Sequence, residues 1–64
     1  MDIEIKDYLL AIITINLENV SGGGCPIFLA KDEEEQQKLG IYLARILGGI
    51  VHDLENGVYL IVKH

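Results

Sequence analysis

The chain has 64 residues, half of them apolar, with five Lys+Arg against ten Asp+Glu and a formal net charge of −5. That length admits one domain, residues 1–64, and a mean hydropathy of +0.31 lies outside the disordered range. The bases Lys6, Lys31, Lys38, Arg45 and Lys63 are scattered, so no basic stripe is present for a phosphate backbone, and an acidic surface disfavours anionic membranes.

Met1 to Leu17 alternates in hydropathy, and its Ile-Ile-Thr-Ile run crowds χ1 in a helix. The pattern predicts a strand over Tyr8–Asn16, with a bend near Lys6-Asp7; a helix over 7–16 is the competing reading. Asp7 breaks the apolar side of that strand and reads as an edge carboxylate open to water. The uncharged stretch Tyr8–Leu17 is shorter than the ~20 residues of a spanning helix. Asp2 and Glu4 stand where a secretory signal needs positive charge. The chain therefore reads as soluble and cytoplasmic, with no nucleic-acid or membrane partner.

Glu18 to Gly24 reads as a loop, rich in Asn, Ser and Gly, and Ile27–Ala30 as a short second strand after Pro26. Asp32 opens a helix, with Glu35 three residues on as an acidic capping box and Glu33, Glu34 and Glu35 at the positive end of its dipole. Leu39, Tyr42, Leu43, Ile46 and Leu47 form the stripe expected against a sheet. Arg45 suits the last turn, and Gly48 or Gly49 ends the helix near Leu47. Gly40 inside the helix allows close backbone approach to a neighbour.

Asn56-Gly57 between two apolar runs predicts a two-residue type I′ hairpin joining strands 50–55 and 58–63. In that register Glu55 faces Val58, Asp53 faces Leu60, and His52 faces Ile61. One face then carries Ile50, His52, Leu54, Tyr59, Ile61 and Lys63; the other carries Val51, Asp53, Glu55, Val58, Leu60 and Val62. Both faces of the last strand are apolar, unlike a sheet with one solvated side.

The expected fold is a small α+β unit, β-(β)-α-β-β, mainly antiparallel, with one helix on one sheet face. A chain this short buries only about 60% of its unfolded surface. The other face calls for a cover, a second copy or a protein partner, and the expected assembly is a homodimer or higher homo-oligomer. Tyr8, Leu10, Ile12, Val58, Leu60 and Val62 are the expected interface.

Chemical signals are sparse. Cys25 cannot bridge internally and suits a reducing compartment. It is the one candidate nucleophile, for sulfur transfer or redox sensing. Cys25-Pro26 resembles the Cys-Pro of small sulfur-carrier proteins. Those continue with a second proline and start a helix at once; Ile27 and a helix start at Asp32 depart from both, and two residues assign no family. Gly22, Gly23 and Gly24 could line a small-ligand site, but no Gly-Lys-[Ser/Thr] ending follows. His52, Asp53 and His64 lack zinc-type spacing, and adjacent strand residues point to opposite faces. His52 reads as a buried or interfacial histidine, and Lys31–Glu35 as a solvated helix start. No metal or cofactor is expected, and the leading reading is a non-enzymatic protein–protein interaction module with a regulatory or accessory role.

Overall fold

A computed structural model of the chain describes residues 8–20 and 24–63. The expectations at Lys6-Asp7, Gly22, Gly23 and His64 lie outside the described residues. Four strands and one helix follow in the order β1 (Leu9–Thr14), β2 (Ile27–Leu29), α1 (Glu33–Leu47), β3 (Gly49–Asp53) and β4 (Val58–Lys63). The strands form one sheet in the order β2-β1-β4-β3. The expected α+β unit is thus present. The sheet is mixed, since β1 pairs parallel with β2 and antiparallel with β4.

β-Branched Ile12, Ile13 and Thr14 favour the extended chain at β1, as the sequence predicted. The strand is shorter than expected and does not alternate evenly. The register shifts between Leu9 and Ala11, a bulge at Leu10. Leu9 consequently pairs with Val62, whereas Leu10 packs into the core. Within the expected loop, Leu17–Asn19 form a short 3-10 turn, capped by Asn16 Oδ1 accepting from the Glu18 N–H at 2.9 Å.

The helix ends match the sequence. Asp32 Oδ1 accepts from the Glu35 N–H at 2.9 Å, and Glu35 Oε1 accepts from the Lys31 N–H at 3.2 Å. Gly48 closes the C-terminus in the left-handed region at φ 73°. The stripe is rotated from the expected one. Gln36 and Gly40 are buried and Leu39, Leu43 and Ala44 pack on the core, but Tyr42 and Ile46 are 58% and 75% exposed. Gly40 lies over Tyr59 and Val51, where a Cβ would stand 3.4 and 3.5 Å away, so this flank of the helix faces the sheet and the Tyr42–Ile46 flank faces outward.

The hairpin departs from its expected register by one residue. Asp53 pairs with Tyr59, His52 with Leu60 and Val51 with Ile61. Leu54 then donates to the Val58 carbonyl at 3.0 Å, leaving a three-residue loop, Glu55-Asn56-Gly57. Asp53 Oδ1 accepts from the Glu55 N–H at 2.7 Å, and Glu55 takes φ 63°. This Asx turn sets the loop before Asn56-Gly57 can act alone. One step of register moves a whole strand face, so Val51, rather than Ile50, joins Tyr59 and Ile61 under the helix. His52 faces Leu60 and is exposed, not buried opposite Ile61.

The core is Ala11, Ile13, Ala30 and Ile61, all essentially closed to solvent. Gln36 anchors the helix above it. Its Nε2 donates to the Ile13 carbonyl at 3.0 Å and to the Gly57 carbonyl at 2.9 Å.

Candidate functional site

Side chains alternate across a sheet, and directly paired residues share a face. Ala11, Ile13, Phe28, Val51, Tyr59 and Ile61 take the helix side. The opposite side is built from Ile27 and Leu29 on β2, Leu9, Ile12 and Thr14 on β1, Val58, Leu60 and Val62 on β4, and Ile50 and His52 on β3.

No described element packs over this second face. Leu29 is 55% exposed and Ile50 44%, and Ile27 and Leu54 are exposed beside them. Closure is confined to one end, where Val58 and Thr14 are buried and Thr14 Oγ1 donates to the Asn16 carbonyl at 2.9 Å. Asp53 and Lys63, the charged residues of the described strands, both point to the helix side. Among the described residues, one sheet face of an acidic protein therefore carries no carboxylate, ammonium or guanidinium group.

The expected interface residues fall in several places. Ile12, Leu60 and Val62 lie on the open face, partly exposed; Val58 shares it but is buried. Leu10 is turned to the helix side by the bulge, and Tyr8 precedes β1 and is exposed. Ile27, Leu29 and Ile50, outside the expected set, also lie on the open face. The first two depend on the parallel pairing of β2 with β1, which no local pattern encodes. Ile50 follows from the hairpin register.

The chemical candidates stay apart. Cys25 is free and partly buried, and burial pushes its thiol above the ordinary value. That lowers the thiolate fraction, the opposite of an activated nucleophile. Gly24 has φ 104°, and a Cβ there would meet nothing within 4 Å. Among the described residues no three His, Cys, Asp or Glu side chains gather at metal-binding distance. Two depressions open to solvent, one lined by Lys31, Asp32, Glu34, Glu35 and Lys38, the other by Glu33, Gln36, Gln37, Asp53, Glu55, Gly57 and Tyr59. Both are polar and carry no nucleophile–base pair. No described helix is long and apolar enough to cross a membrane.

The family described as "Capping complex subunit for YIEGIA" matches residues 6–64. The chain belongs to this family. Membership covers all four strands and the helix, so the open face is part of the family domain. The chain is also similar to the uncharacterized protein YpzH of Bacillus subtilis (strain 168), 39% identical over 64 residues, which takes in the whole chain and 98% of YpzH. No solved structure matches the chain.

Proposed function

We propose that this chain is a non-catalytic subunit of a protein complex and that the open face of its sheet is its docking surface. The YIEGIA protein named in the family description is the partner this reading assigns. The observation that carries it is the uncharged apolar face formed by Ile12, Ile27, Leu29, Ile50, Leu60 and Val62. Removing such area from water contributes roughly 25 cal/mol per Å². A partner supplying an apolar surface gains that term without having to pair a charge. The acidic remainder keeps the free subunit soluble and steers basic surroundings toward it.

The role is regulatory or accessory: a subunit that covers a surface of its partner. Homo-oligomeric assembly belongs to the same reading, with copies of the chain sitting beside one another in the complex. A cytoplasmic location suits the unpaired Cys25.

Co-expression of the chain with the YIEGIA protein of the same organism tests the proposal. The two are expected to co-purify, and Ile27→Lys/Leu29→Lys is expected to abolish co-purification while leaving the circular dichroism spectrum unchanged. Recovery of YIEGIA by that double variant at the native level would contradict it.

A further inference from the structure

β3 is an end strand, and its outward groups follow from one hydrogen bond. The Leu54 N–H donates to the Val58 carbonyl at 3.0 Å. In an antiparallel pair, bonded and non-bonded residues alternate. Ile50, His52 and Leu54 therefore turn their N–H and C=O groups to β4. Gly49, Val51 and Asp53 turn theirs away from the sheet, with no strand beside them among the described residues. On the far side of β4 the same alternation holds, since Ile15 donates to the Gly57 carbonyl and Lys63 to that of Tyr8.

Natural edges are blunted with Lys, Pro, bulges or inward charges. β3 reads Gly-Ile-Val-His-Asp and has no Lys, Pro or bulge; its one charge, Asp53, lies at the strand end on the helix side. It is also self-complementary. A twofold axis through Val51 places Val51 against its own copy, Gly49 against Asp53, and Ile50 against His52. No charge then meets a like charge. The three outward N–H groups and three outward carbonyls of each copy meet their counterparts in six reciprocal hydrogen bonds.

Area points the same way. Four strands about 4.8 Å apart, each about five residues at 3.3 Å, present a face of roughly 320 Å². A stable interface takes about 800 Å² from each partner. One protomer's open face falls well short, and two copies joined at β3 present a continuous face of about 640 Å² on one side, nearer to that size.

We propose that two copies of this chain join through their β3 strands, antiparallel about Val51, into one eight-stranded sheet whose shared apolar face is the docking surface. The surface role rests on the function proposed above; the pairing does not.

The test uses the full chain with Cys25→Ser and needs no partner protein. Light scattering during size-exclusion chromatography is expected to give twice the 7.1 kDa chain mass. Diamide oxidation of Ile50→Cys/His52→Cys is expected to give a covalent dimer on a non-reducing gel, because those positions face each other across the axis. Either single variant is expected to cross-link at least tenfold less, since each cysteine then faces a native side chain. Ile27→Lys/Leu29→Lys is expected to remain dimeric. A monomer at about 100 μM, or single variants cross-linking as well as the double one, would overturn the pairing. Loss of the dimer in Ile27→Lys/Leu29→Lys would overturn it in favour of face-to-face packing. Loss of YIEGIA binding with the dimer intact would instead bear on the docking role alone.

Discussion

The side-chain amide of Gln36 donates to the Gly57 carbonyl at 2.9 Å, tying the first turns of α1 to the β3–β4 loop. Its second hydrogen reaches the Ile13 carbonyl at 3.0 Å, so one buried side chain pins the helix both to β1 and to the β3–β4 loop. Gln36→Leu keeps the bulk and removes both bonds. The expected cost is about 1–3 kcal/mol in urea unfolding. Gln36→Glu is expected to cost more at pH 8 than at pH 5. Two facing carbonyls and burial raise the folded-state pKa of the new carboxyl, so its stability is lost as pH rises through that value.

Gly49 in β3 and Gly40 in α1 both lie close to neighbouring groups, with opposite expectations. A Cβ on Gly49 would stand 2.7 Å from the Val62 carbonyl oxygen and 2.9 Å from Ile61 Cγ2. Backbone cannot yield cheaply there, and Gly49→Ala is expected to cost about 1–3 kcal/mol. A Cβ on Gly40 would meet Tyr59 and Val51 at 3.4 and 3.5 Å, ordinary contact. Gly40→Ala recovers helix propensity of up to about 1 kcal/mol. It is expected to raise the thermal midpoint or leave it unchanged.

Glu55 holds φ 63° without being glycine. A left-handed residue of that kind costs about 1–2 kcal/mol, and asparagine tolerates the region better. Glu55→Asn is expected to stabilise the chain by about 0.5–1 kcal/mol, read from the urea midpoint at constant slope.

These positions also show what the sequence could reveal. The helix ends were legible because caps are local: Asp32, Glu35 and Gly48 each act within one turn. The strand identity of β1 was legible from its β-branched run. The hairpin register was not, because the Asp53–Glu55 turn competes with Asn56-Gly57 and shifts the pairing by one residue. The inward face of α1 was not, because a buried Gln36 and a bare Gly40 are invisible to a hydropathy pattern. An uncovered apolar face was expected from the count of apolar runs, whereas the share of Ile27 and Leu29 in it depends on the long-range pairing of β2 with β1.

Cys25 gives a chemical test. Burial raises its thiol pKa, so the thiolate that reacts is scarcer at neutral pH than in a free cysteine. Iodoacetamide at pH 7 is expected to alkylate it more slowly than it alkylates glutathione, with the half-reaction pH shifted upward. Cys25→Ser is expected to bind the partner as the native chain does, measured by the same co-purification.

Calorimetric titration of YIEGIA, the proposed partner, with two surface variants separates the two apolar sides of the molecule. Ile27→Lys/Leu29→Lys alters the open sheet face, and Tyr42→Lys/Ile46→Lys alters the exposed flank of α1. The first is expected to weaken binding at least tenfold, about 1.4 kcal/mol or more, and the second to bind as the native chain does. Native affinity in the sheet variant, or loss of binding in the helix variant alone, would contradict docking through the sheet.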